Sequence, residues 1–120
     1  LKMEGSNVFR FASKVIPGSM IEALEKAGLT PADLGLVIPH QANIRIIDHA
    51  REKLGLPTER VFTNLDKYGN TSAASIPVAL CEALEQGRVS DGDIVARGTI
   101  FTCRYCPFAE GSSQTVWVLV

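Results

Sequence analysis

The runs Ile38-Pro39-His40-Gln41-Ala42-Asn43-Ile44-Arg45 and Tyr68-Gly69-Asn70-Thr71-Ser72-Ala73-Ala74-Ser75 each carry a polar side chain at a seam between a strand or loop and a helix. In an α/β layered fold such seams open on the crevice outside the carboxyl ends of the strands, where ligands bind. A histidine and an asparagine aimed into one crevice suit one task well: donating hydrogen bonds to a carbonyl oxygen that becomes negative during reaction. The plainer roles are a structural histidine, and an asparagine that serves a left-handed backbone or caps the helix after it. Asn43 can orient a catalytic neighbour or be a surface amide. Arg45 can be solvated, or can recognise an acidic partner or a phosphate at the mouth of a cleft. His49 is out of register with His40 for a shared helical face and is assigned no role.

The cysteines offer a different chemistry. Cys81 falls among helix core positions and reads as a small hydrophobe. Cys103-Arg104-Tyr105-Cys106 supplies two of the four ligands of a structural zinc site, but no second pair completes it, so no metal ligand is assigned. As a redox pair it lacks the helix that such a motif should open.

Around these residues the chain has 120 residues, 46% of them hydrophobic, enough for one domain with a real core. A formal net charge of −1, with both signs interspersed, gives neither the basic field that nucleic acid requires nor a polybasic membrane patch. No apolar run reaches the length of a bilayer span and Leu1-Lys2-Met3-Glu4-Gly5 has no signal-peptide core, so the expected setting is soluble and cytoplasmic. A start at Leu1 rather than Met suggests a piece of something longer.

Several elements must position the polar pair. Leu1 to Glu4 reads as a short edge strand, and Ser6 and Asn7 as caps for a helix bearing Val8, Phe11, Ala12 and Val15, which Pro17 should kink or divide. Helical spacing resumes at Met20, Ala23, Leu24 and Ala27 and stops at Gly28, before a capped turn at Thr30-Pro31-Ala32-Asp33. Leu34 to Ile38 is a strand of the kind buried on both faces. Gln41 to Leu54 is a helix with Ile44, Ile47 and Leu54 on its inner face, and Arg60 to Leu65 is a strand. Thr71 to Gln86 is a helix with Ile76, Leu80, Ala83 and Leu84 inward and an irregularity near Ser72-Ala73-Ala74 caused by Pro77. Asp91-Gly92 turns the chain into strands over Asp93 to Phe101 and Thr115 to Val120. The alternation βαβαβ predicts an α/β fold, a β-sheet with helices packed in layers and right-handed crossovers between parallel strands.

With Pro39 to Arg45 and Tyr68 to Pro77 in place, the chain resembles β-ketoacyl-acyl carrier protein synthase III, the initiating condensing enzyme of bacterial and plastid fatty acid synthesis. The resemblance runs from about Met3 through Val95, including Val8-Phe9-Arg10-Phe11-Ala12 and Gly92-Asp93-Ile94-Val95. It implies the thiolase-like fold, two similar α/β halves with the active site between them, of which this chain is most of the C-terminal half. On that resemblance His40 and Asn70 correspond to the pair that binds the malonyl thioester carbonyl during decarboxylation. Asn43 would be a supporting residue, and Arg45 would help dock acidic acyl carrier protein. The substrates implied are acyl-CoA and malonyl-acyl carrier protein, the product a 3-oxoacyl thioester, and the parent a homodimer, cytoplasmic or plastid, with no cofactor. The acyl-carrying cysteine belongs to the N-terminal half, so the isolated chain is expected to be inactive.

After Val95 the pattern departs. A glycine-rich loop is expected there, whereas the chain reads Ala96-Arg97-Gly98-Thr99-Ile100-Phe101-Thr102-Cys103-Arg104-Tyr105-Cys106-Pro107, a divergent tail from 96 to 120. Two further expectations stay open: a noncatalytic domain that binds acyl carrier protein or an acyl thioester, and a cysteine-dependent metal or redox module.

Overall fold

A computed structural model describes residues 5–99 and 115–119. Its centre is β1 (Leu34–Pro39), where Leu34, Leu36, Val37 and Ile38 are all buried, as a strand between two helical layers requires. β1 pairs in parallel with β2 (Ile94–Thr99), and β2 pairs antiparallel with β3 (Thr115–Leu119). The sheet order is therefore β1-β2-β3, and the sheet is mixed.

On one face, Met20 and Leu24 of α1 (Gly5–Lys26) pack with Leu54 and Leu56 against Leu34, Val37 and Ala96. On the other, Phe62 joins Ala79 and Ala83 of α4 (Ser75–Glu85) against Leu36, Ile38 and Val95. Leu34 and Val37 reach the same layer because the pairing register slips between Leu34 and Leu36. Gly35 occupies that slip, and a Cβ there would lie 3.1 Å from the Asp93 side chain. α2 (Ile44–Lys53) lies beside α1, and α3 (Leu65–Tyr68) is a single turn before α4.

Several local expectations change. α1 runs unbroken through Pro17, which is itself buried; it begins at Gly5, so Ser6 and Asn7 lie within it rather than capping it. A long helix with Ala12, Met20 and Leu24 in the core tolerates the loss of one amide donor. α2 starts at Ile44 with Asn43 as its cap, and it buries Ile46 and Ile47 while Ile44 is exposed. The strand expected over 60–65 reduces to one bridge, Val61 to Val37, because a 3-10 turn (Thr58–Arg60) precedes it and α3 begins at Leu65. α4 is preceded by a 3-10 turn at Ser72–Ala74, the expected irregularity, and Pro77 falls in its first turn, where a missing amide is tolerated. Cys81 and Leu84 are exposed on α4 rather than buried. Gly28 closes α1 with φ of +69°, as Leu29 N–H bonds the Leu24 carbonyl at 2.8 Å, and Thr30 with Asp33 forms the expected turn. The expected strand at Leu1 to Glu4, the pair Cys103 and Cys106 and most of the divergent tail lie outside the described residues.

Candidate functional site

His40 follows the last residue of β1, and its amide donates to the Gly98 carbonyl at 2.9 Å, extending the ladder one step past Pro39. The Ala42 amide then donates to the His40 carbonyl at 3.0 Å, a tight turn that leads the chain toward α2. The imidazole is buried, 8% exposed, and its Nδ1 lies 2.7 Å from Oγ of Ser75, the first residue of α4. Burial holds the His40 pKa below the usual imidazole value, because a charged ring would lose hydration there.

Gln41 explains why only one bridge forms beyond β1. Its side chain is 1% exposed; Nε2 donates to the carbonyls of Pro39 at 2.8 Å and Phe62 at 3.3 Å, and Oε1 accepts the Asn64 amide at 3.1 Å. A side-chain amide thus takes the place of a strand ladder. The Gln41 backbone amide donates to Ser75 Oγ at 2.9 Å, so Ser75 touches both residues of the His-Gln turn.

Asn70 is reached through α3. Buried Asn64 donates from Nδ2 to Glu82 on α4 at 2.9 Å, and Lys67 pairs with the same carboxylate, which pins α3 to α4. Those two partners hold the Glu82 carboxyl below the ordinary carboxylate range, Lys67 contributing most. Gly69 follows with φ of +65° and ψ of −159°, a conformation open essentially to glycine. The Asn70 Oδ1 accepts the Ser72 amide at 3.0 Å, while Ser72 adopts a left-handed φ of +54°. This turn engages the carbonyl end of the Asn70 carboxamide. Asn70 is exposed, and the segment it opens runs through Ser72–Ala74 directly to Ser75 and so to His40.

Asn43 accepts the Arg45 amide at 3.0 Å with its Oδ1 as the cap of α2, so its carbonyl end orients backbone rather than His40. Both residues nevertheless line one narrow apolar cavity of about 30 Å³, with Ala42, Ile46 and Gly98. Arg45 stands apart, in an open groove between α1 and α2. The charges lining that groove are Arg10, Lys14, Arg45 and Lys53, with no carboxylate among them. His49 also lines it, its ring 6.3 Å from that of Phe9. Among the described residues no group of three His, Cys, Asp or Glu side chains could hold a metal ion, and no helix is long and apolar enough to cross a membrane.

Ser75, Gln41, Asn64 and Glu82 were not singled out from sequence. Ser75 carried one faint signal, a serine ending a small-residue run just where Pro77 forces the helix to begin afresh.

The profile of the C-terminal part of 3-oxoacyl-[acyl-carrier-protein] synthase III matches residues 24–99. A β-ketoacyl-[acyl-carrier-protein] synthase III of Symbiobacterium thermophilum is 59% identical over 93 residues, covering 78% of this chain and 28% of that protein. The crystal structure of the synthase III of Thermus thermophilus superposes with a TM-score of 0.80 at 57% identity, over 82% of this chain and 31% of its own. That of Aquifex aeolicus gives a TM-score of 0.81 at 49% identity, over 82% of this chain and 32% of its own. The chain thus spans under a third of the length of the relatives it matches.

Proposed function

The chain belongs to the 3-oxoacyl-[acyl-carrier-protein] synthase III family, and from that premise we propose that it is most of the C-terminal half of a condensing acyltransferase, the half that supplies the decarboxylation donors. The reaction is a decarboxylative Claisen condensation. Breaking the bond between the malonyl carboxylate and the α-carbon releases carbon dioxide and sends the electron pair toward the thioester carbonyl, leaving an enolate. His40, neutral because it is buried, offers a ring N–H to that oxygen, and Asn70 offers its Nδ2 hydrogens. Fixed donors aimed at charge absent from the ground state lower the barrier rather than merely tightening binding. The enolate carbon then attacks an acyl-cysteine thioester held by the rest of the enzyme, displacing the thiolate and giving a 3-oxoacyl-acyl carrier protein.

The observation that carries this reading is the Ser72 N–H bond to Asn70 Oδ1, which occupies the carbonyl end of the carboxamide so that its Nδ2 can donate. In a full-length enzyme containing this segment, His40→Ala and Asn70→Ala are each expected to slow malonyl-thioester decarboxylation on the order of 10²- to 10³-fold. Unmutated rates in both variants would show that the roles are wrong.

A second reading, a noncatalytic domain that binds acyl carrier protein, is favoured by the groove of Arg10, Lys14, Arg45 and Lys53, whose charge suits an acidic protein. The two readings are separable. Binding of the carrier protein without any decarboxylation, once the missing half is present, would favour the second.

A further inference from the structure

We infer that Ser75 is the positioning residue that locks His40 in the tautomer with the proton on Nε2, so that this ring nitrogen is a donor and not an acceptor. A serine hydroxyl has one proton and two lone pairs. One lone pair of Ser75 Oγ takes the Gln41 amide hydrogen at 2.9 Å, which fixes the orientation of the oxygen. Because Ser75 is 1% exposed, its proton needs an acceptor within the protein, and Nδ1 of His40 at 2.7 Å supplies one. A nitrogen that accepts a hydrogen bond carries no proton, and in a neutral imidazole the proton must then reside on Nε2.

The surroundings make this arrangement rigid. Ser75 is 1% exposed at the first residue of α4, where its backbone is held by the helix. The Gln41 amide that sets the hydroxyl is held in turn by a buried carboxamide with three partners, the carbonyls of Pro39 and Phe62 and the amide of Asn64. Burial also favours the neutral ring for which a tautomer is defined. The catalytic importance of the lock rests on the decarboxylation reading above, whereas the tautomer itself does not.

Nitrogen-15 NMR of the histidine ring in the full 120-residue chain tests the lock directly, since the two neutral tautomers differ in which nitrogen is protonated and in their two-bond couplings. The expected pattern is Nε2–H in the parent chain, a mixed or reversed pattern in Ser75→Ala, and recovery of Nε2–H in Ser75→Thr, which restores a hydroxyl. Nδ1–H in the parent, or an unchanged pattern in a folded Ser75→Ala, would overturn the inference. Should Ser75→Ala fail to fold, the parent and Ser75→Thr spectra decide it. In a full-length enzyme the expected loss of decarboxylation is about 10- to 100-fold in Ser75→Ala, by analogy with the loss of an orienting partner from a metal-bound histidine, with substantial recovery in Ser75→Thr. An Nε2–H lock present in an enzyme whose rate ignores Ser75 and His40 alike would leave the tautomer standing and refute the catalytic role.

Discussion

At the scale of single residues, the neutrality of His40 couples the site to pH. Its folded pKa lies below the ordinary value of 6.5 because burial opposes the charged ring. Below about pH 6.5 the unfolded chain therefore binds a proton that the folded chain does not, and stability contributed by the neutral ring falls as pH drops toward the folded value. Urea unfolding midpoints should decline between pH 7.5 and pH 5.5, and the decline should be smaller in His40→Gln; an equal decline in both proteins would remove His40 as its source. The positions of His40 and Asn70, each at a seam before a helical segment, were legible from sequence because the apolar pattern itself marks those seams. Ser75 was not, because a serine between Ala74 and Ile76 gives no sign that its hydroxyl is buried against a residue 35 positions away.

Secondary-structure elements set the aim of Asn70. The turn of α3 is tied to α4 through Asn64, Lys67 and Glu82, and Gly69 then takes a backbone conformation that a side chain resists. Gly69→Ala has open space for its methyl group, so its effect comes from the backbone alone. The expected destabilisation is about 1–3 kcal/mol by thermal or urea unfolding, with loss of decarboxylation in the full-length enzyme as Asn70 is re-aimed. A variant of parental stability and rate would show that the turn does not depend on glycine. The helices were legible where hydrophobic spacing, Gly28 and the Thr30-Asp33 turn agreed. Pro17 misled because local propensity yields to an α1 face that buries Ala12, Met20 and Leu24. The strand over 60–65 misled because a glutamine side chain, invisible to periodicity, supplies the bonds that a ladder would have made.

Across the whole molecule, the layered arrangement separates two tasks. The carboxyl end of β1 presents His40, while the α1–α2 edge presents Arg10, Lys14, Arg45 and Lys53 to solvent. A surface charge of this kind acts mainly on association rates and is screened by salt. Arg45→Glu in the full-length enzyme should slow association with an acidic carrier protein about tenfold at low ionic strength, with the difference shrinking in about 0.5 M salt. Equal association rates at low salt would exclude the groove as the docking face. The layered α/β class was legible because β1 lacks polar alternation, and the family because two long motifs occur in order. The mixed sheet order, by contrast, depends on pairings between distant segments that no local pattern encodes.

One consequence concerns time rather than shape. Besides the neighbouring Pro39 carbonyl, the groups on Phe62, Asn64, Ser75 and Gly98 that hold His40 and Gln41 lie later in the chain than the residues they orient. As the polypeptide is synthesised from its amino end, the histidine emerges first and waits for its supports. A product of interrupted translation that stops before α4 would therefore contain the reactive-looking ring without the hydroxyl that orients it.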